Sequence, residues 1–236
     1  MRLGIITAMD KERAAISAML DGRHETLAEG TQYTLGRCGR HEIILAASGI
    51  GKVNAALGAE AMIRLCRPDA IISTGAAGGL NNAAGTMKVM DAAAGTLYSY
   101  HDAWCGSPNE PGQIQGMPAK FPADKKLIQA AEMLAMMRSP NERQIHCGLI
   151  VSGDQFIESH EEMSKIKSKF PQAIAIDMES AALAHVCYVK NVPFISFRII
   201  SDLPGAENHA EQYKDFWAEA AENSFAVTKA FIAALP

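Results

Sequence analysis

With 236 residues, 48% of them hydrophobic and 20% charged, the chain has the size and composition of a single globular domain covering residues 1–236. The net charge is −4 and the 22 Lys and Arg residues are scattered, so nothing marks nucleic acid or an anionic membrane surface as a partner. No run of about 18 apolar residues is present to span a bilayer, and the apolar run at the N-terminus is too short for a signal peptide and is followed at once by Asp10 and Glu12.

The five cysteines form no CxxC pair, and most sit in apolar stretches, which fits free thiols in a reducing cytoplasm. The seven histidines show neither HxxxH nor HxH spacing, so no metal and no cofactor are expected.

In chain order, Arg2 to Thr7 is predicted as the first strand and Asp10 to Leu20 as a helix with Ala14, Ile16 and Met19 apolar. Glu12 falls just beyond the carboxyl end of that strand. A glutamate there is also what a helix dipole favours. Gln32 to Arg37 and His41 to Ser48 form a hairpin pair joined near Gly39, and Gly49-Ile50-Gly51 follows before a helix from about Val53 to Cys66. Two glycines one residue apart allow close approach of the backbone to a ligand, although neither the full dinucleotide fingerprint nor a P-loop is present.

The next strand, Ala70 to Thr74, runs into a second glycine-rich stretch, Gly75-Ala76-Ala77-Gly78-Gly79. Gly85 to Tyr100 is expected to hold one or two strands. Residues 104 to 122 carry many glycines and prolines and are expected to form a long loop. Ala123 to Met137 is an amphipathic helix, Gln144 to Ser152 a strand, and Ser159 to Phe170 a polar helix.

The apolar run Ala173 to Ile176 has the pattern of a buried strand of a parallel sheet. It leads through Asp177-Met178-Glu179 into the Ala-rich helix from Ser180 to Tyr188. Asp177 and Glu179 admit two readings, a helix start or a ligand site, and these residues alone leave both open. Phe194 to Ile200 is the last strand and ends in Ser201-Asp202; a closing helix runs from about Ala210 to Leu235.

Six strand ends therefore carry the unusual residues: Glu12, Ser48 to Gly51, Gly75 to Gly79, Phe156-Ile157, Asp177 to Glu179 and Ser201-Asp202. Ligands of doubly wound sheets bind at the carboxyl ends of strands. The convergence raises Glu12, Glu179 and Asp202 above a purely structural reading.

Taken together, Gly4 to Glu12, Ser48 to Val53, Thr74 to Gly79, Val151 to Ile157, Ala175 to Glu179 and Ser201-Asp202 resemble the bacterial 5'-methylthioadenosine/S-adenosylhomocysteine nucleosidases, within the wider purine nucleoside phosphorylase and uridine phosphorylase family. The likeness covers nearly the whole chain. It implies an α/β fold of three αβα layers around a central mixed twisted sheet, a homodimer, and irreversible hydrolysis of the N-glycosidic bond to adenine in methionine salvage. The substrates implied are 5'-methylthioadenosine, S-adenosylhomocysteine and 5'-deoxyadenosine.

The resemblance assigns Asp202 as the acid that shares a proton with adenine N7, Glu12 as the base for the attacking water, and Glu179 as the ligand of the ribose hydroxyls beside the Met178 backbone. It places Arg198 near Glu179, stacks Phe156 on the base, reads the base edge with the Ile157 backbone, and puts Ile50, Ala76, Ala77, Gly78, Ser201 and Tyr213 around the substrate. Two departures stand out. Ala76 replaces the serine of many relatives, and the segment 104–116, which by resemblance covers the partner subunit's 5' group, carries Trp104 as its only aromatic residue.

Three other readings compete: a nucleosidase for another 5'-substituted nucleoside such as a futalosine, a phosphate-dependent phosphorylase, and a nucleoside-binding regulator without turnover. Glu12 would repel phosphate and the stretch Ser73 to Ala76 holds no arginine, which favours water. Binding alone has no need of a third carboxylate.

Overall fold

The first strand, β1 (Arg2–Thr7), is the hinge of the architecture because it lies parallel to two strands distant in sequence, β4 (His41–Ala47) and β5 (Ala70–Gly79). Its side chains Leu3, Ile5 and Ile6 are buried, as expected for a strand covered on both faces. Beyond β4 the sheet runs out through β3 (Thr31–Cys38) to an edge strand, β2 (Asp21–Ala28), both antiparallel to their neighbours. The computed structural model describes residues 1–80, 87–219 and 225–235.

On the other side of β1 the sheet closes on itself. β5 pairs in parallel with β10 (Phe194–Asp202), β10 antiparallel with β6 (Ala92–Tyr100), β6 in parallel with β8 (Ile145–Ser152), and β8 in parallel with β9 (Ala173–Asp177). β9 then returns to β5 through the pairs Ile176–Gly78 and Ala175–Gly79. A two-residue strand, β7 (Phe121–Pro122), is added to β6. Closure removes the free edges that an open sheet would expose here.

Helices α1 (Asp10–Ser17), α2 (Lys52–Cys66), α3 (Lys125–Met136), α4 (His160–Lys169), α5 (Ser180–Lys190), α6 (His209–Glu219) and α7 (Ala226–Ala234) surround the sheet. α2 packs against α5, and α3 against α7. Local chemistry sets their starts: Asp124 accepts from the amides of Lys126 and Leu127 ahead of α3, and Ser159 and Glu162 form a capping box at α4. Along β10 alternate residues part company. Phe197 stacks on Phe231 of α7 with ring centroids 4.8 Å apart, whereas Ser196 and Arg198 turn to the polar side, where Ser180 of α5 waits.

Several elements differ from the sequence expectation. β2 is a strand although its residues alternate poorly and are almost all exposed; an edge strand that buries little shows no apolar period. α1 stops at Ser17, and the glycines of 75–79 lie inside β5 instead of following it. The expected closing helix consists of α6 and α7, with residues 220–224 between them outside the described residues, as is the Gly85 start of the expected 85–100 strands.

Tyr98 ties the closed part together. Its hydroxyl donates to the Gly95 carbonyl (2.7 Å) and accepts from the Ser196 amide (2.7 Å), so it links β6 to β10 without exposure to solvent. Tyr98→Phe leaves a buried amide unpaired and is expected to lower stability by about 1–3 kcal/mol, read from urea denaturation.

Candidate active site

Glu12 sits in the first turn of α1, where the amides have no partner within the helix. Its Oε2 accepts from the amides of Ala8 and Met9, each at 2.9 Å, and its Oε1 accepts from the Ala76 amide of β5, also at 2.9 Å. The carboxyl group is buried, and burial raises its pKa against the opposing pull of Arg198 and the three amides. Room for it comes from Gly75. A Cβ there would lie 2.5 Å from Glu12 Oε1 and 2.8 Å from Arg198 Nη1, and the residue has φ of 152°, so a side chain is excluded on both counts.

Arg198 is 1% exposed and opposes a group of acids. Its Nε pairs with Asp177 Oδ2 at 2.9 Å and its Nη2 with Glu179 Oε2 at 3.4 Å; Nη2 also donates to Ser73 Oγ at 3.1 Å. Burial works against the guanidinium charge, but Asp177, Glu179 and Glu12 outweigh it and hold the group protonated.

The two acids of the β9–α5 junction divide the readings that the sequence left open. Asp177 Oδ1 accepts from the amides of Glu179 and Ser180 and from Ser152 Oγ, so it caps the helix start while bonding to Arg198. Glu179 turns toward the cavity, with Oε1 accepting from the Gly51 amide at 2.9 Å. Burial pushes its pKa up to about 7; Arg198 opposes this and Asp177 adds to it.

The Gly49-Ile50-Gly51 turn thus brings a backbone amide to a carboxylate of the protein itself. Asp154 takes the next amide, that of Lys52, at 2.7 Å. Both amides belong to the N-terminus of α2, the end of a helix that otherwise binds anions.

The end of β10 carries an irregularity beside Asp202. The pairing with β5 runs Ile200–Ala77 and then Asp202–Gly78, so Ser201 is an extra residue. Regular alternation would send Ser201 and Asp202 to opposite faces; with the bulge both line the same cavity. Ser201 Oγ donates to Asp202 Oδ1 at 2.6 Å. Burial raises the Asp202 pKa, and Ser201 and His209 counter it.

These groups surround a cavity of about 120 Å³ that opens to solvent. Every residue to which the resemblance gave a catalytic or substrate-binding role lines it, namely Glu12, Ile50, Ala76, Ala77, Gly78, Phe156, Ile157, Met178, Glu179, Arg198, Ser201, Asp202 and Tyr213, whereas Ser48, Gly49, Gly51, Gly75, Gly79 and Trp104, also singled out, do not. The Phe156 ring is half exposed and meets Tyr213 edge-on at 5.5 Å. The sequence reading did not single out Ala8, Met9, Gln155, Ile176 or Pro204, which also line the cavity. Ala76 carries no hydroxyl, and its amide is engaged by Glu12.

A profile of the phosphorylase superfamily matches residues 2–233. The chain belongs to that superfamily. Within it, the structure is similar to solved 5'-methylthioadenosine/S-adenosylhomocysteine nucleosidases at about a third identity over full length, and it belongs with them. The nucleosidase of S. pneumoniae, solved with the transition-state inhibitor MT-ImmA, is 32% identical with a TM-score of 0.90 and 100% coverage of both chains. That of Colwellia psychrerythraea, in complex with adenine, is 32% identical with a TM-score of 0.90, covering 100% of this chain and 96% of its own. That of Neisseria meningitidis, in complex with methylthio-immucillin-A, is 32% identical with a TM-score of 0.90 and 99% coverage of each. In the cavity three acids share one guanidinium.

Two expectations follow from this geometry. Gly75→Ala displaces Glu12 and Arg198 while leaving the strand intact, so activity should fall about a hundredfold with an unchanged circular dichroism spectrum. For Glu179 the folded-state pKa of about 7 lies above its ordinary 4.5, so the folded protein binds the proton more tightly than the unfolded chain. The stabilisation is complete below the ordinary value and is lost as pH rises through about 7. Relative to Glu179→Gln, the wild-type protein should lose stability across that window, as read from urea midpoints.

Proposed function

We propose that this chain is an N-glycosyl hydrolase that releases adenine from 5'-methylthioadenosine and S-adenosylhomocysteine, and from 5'-deoxyadenosine. The observation that carries the reading is the state of the backbone amides. A phosphorylase needs donors for phosphate, but the amides at the start of α2 are engaged by Glu179 and Asp154, and the Ala76 amide by Glu12. Arg198 is likewise bound to Asp177 and Glu179. A phosphate anion would meet carboxylates and no free cradle, whereas a neutral water meets a base.

Cleavage between ribose C1' and adenine N9 leaves a ribosyl cation and an adenine anion. Asp202, whose carboxyl is buried and holds its proton above the usual range, shares that proton with N7 so that adenine leaves neutral. Glu12, fixed by three amides, orients a water toward C1' and takes its proton. Glu179 accepts from the ribose hydroxyls beside Met178, and the excess of acids over Arg198 favours the cationic transition state. Phe156 and Ile157 hold the base, and Ile50, Ala77, Gly78, Ser201 and Tyr213 complete the wall.

The same reading includes one nucleosidase domain over residues 1–236, supported by the single sheet that joins strands from Arg2 to Asp202. It includes a homodimer. α2 and α5 present an apolar groove lined by Val53, Leu57, Val186 and Val189, with Trp104 of the 104–116 segment exposed, and a second copy suits such a face. Small 5'-substituted adenosines are the ligands. No helix among the described residues is long and apolar enough to cross a membrane. The five free thiols support a cytoplasmic location.

The test is to incubate the protein with 5'-methylthioadenosine in buffers with and without phosphate and to identify the sugar product. Adenine release at equal rates, with free 5-methylthioribose, is expected. A sugar 1-phosphate, or a rate proportional to phosphate, overturns the hydrolase reading.

A further inference from the structure

Lys11 is an exposed neighbour of Glu12 to which the mechanism above gives no task. Its Nζ lies 3.5 Å from the centroid of the Trp217 ring and 5.4 Å from that of Tyr213, both on α6. Among the described residues it forms no ion pair: Glu12, its nearest acid in sequence on the cavity side, is turned to the Ala8, Met9 and Ala76 amides. A lysine held on aromatic faces keeps N–H donors directed away from the rings. The rings also order a stem that would otherwise be flexible, which lowers the entropy lost when an anion binds.

The place of this ammonium matters. Tyr213 is both its partner and a wall of the cavity, in edge contact with Phe156. On the nucleosidase reading Phe156 and Asp202 take the base and Glu179 the ribose. The apolar remainder of the wall, Met9, Ile50 and the Tyr213 ring, is left for the 5' substituent. Lys11 is exposed and lies against Tyr213 just outside the cavity lining, two residues along the chain from Met9.

We propose that Lys11 is a specificity-determining residue: its ammonium, held over Trp217 and Tyr213, takes the carboxylate of the amino-acid tail carried on the 5' sulfur of S-adenosylhomocysteine. The assignment rests on the nucleosidase reading. A methylthio group ends before this position and has no charge to offer, so the contact discriminates between two substrates that share base, ribose and sulfur. The contact is partly exposed, so its contribution is modest, about fivefold in affinity.

The experiment is a cycle between the side chain and the substrate. Steady-state kinetics of wild type, Lys11→Met and Lys11→Arg are measured on S-adenosylhomocysteine, on its analogue lacking the tail carboxylate, and on 5'-methylthioadenosine. In wild type, removal of the carboxylate should raise KM about fivefold with little change in kcat; in Lys11→Met the same removal should have no effect, and Lys11→Arg should restore it. The wild-type comparison of the two tailed nucleosides needs no variant, so it can overturn the assignment even if Lys11→Met does not fold, and Lys11→Arg then ties the carboxylate effect to this position. Equal kinetics of these two substrates in wild type overturns the assignment. So does a variant that changes all three substrates alike, which would make Lys11 a fastener of α6. Wild-type protein inert toward all three nucleosides removes the nucleosidase reading itself, and the Lys11 assignment with it.

Discussion

A buried guanidinium holds this site together. Arg198 reaches acids from two elements, Asp177 at the end of β9 and Glu179 at the start of α5, and it shares the recess left by Gly75 with Glu12. Removing one partner of such a buried group leaves the others uncompensated, typically at a cost of about 3–5 kcal/mol. The strand that carries Arg198 is sealed into the closed part of the sheet, and its neighbour Ser196 is tied to Tyr98. Charge placement and strand closure are therefore one construction: the closed sheet keeps water from Arg198, and Arg198 keeps the acids from repelling one another.

The distribution of roles among the acids follows from their surroundings. Asp177 is bonded to hydroxyls, amides and Arg198 and serves the backbone. Glu12 and Glu179 each accept backbone amides, yet each keeps a face on the cavity. Asp202 has a serine hydroxyl and no arginine, and burial decides its protonation. On the proposed reading, carboxylates of like chemistry are thereby separated into a base, a hydroxyl ligand and an acid, as enzymes that run acid and base chemistry together require.

Much of this was legible in the sequence because carboxylates and glycines fall at strand ends, and because the resemblance joined those ends into one family pattern. Arg198 came only from the resemblance. Its own signal was present, since an arginine inside Phe194 to Ile200 is a charge in a run otherwise apolar apart from Ser196, and a buried charge requires partners. The Gly49-Ile50-Gly51 turn was expected to let the backbone approach a ligand; the Gly51 amide instead meets Glu179, and nothing in the local sequence shows that Glu179 lies opposite. β2 was missed because an exposed edge strand leaves no hydrophobic period to find. Ala8, Met9 and Pro204 have no chemistry that distinguishes them in a sequence; they matter only for where the chain puts them.

The extra residue in β10 has a bearing on how such an enzyme can diverge. Asp202 lies four residues beyond Arg198, on the face that alternation gives both, and the bulge brings Ser201 to the cavity beside it. A one-residue deletion or insertion between Arg198 and Asp202 would rotate the acid to the opposite face while leaving the arginine in place. Length changes are thus barred from the end of β10 and permitted only beyond it, in the connection from Leu203 to Asn208 that leads into α6. That connection sets the height of Tyr213 and Trp217 above the cavity. Descendants of this chain can remodel the wall around Tyr213, residue by residue, without touching Asp202, the acid of the proposed reaction.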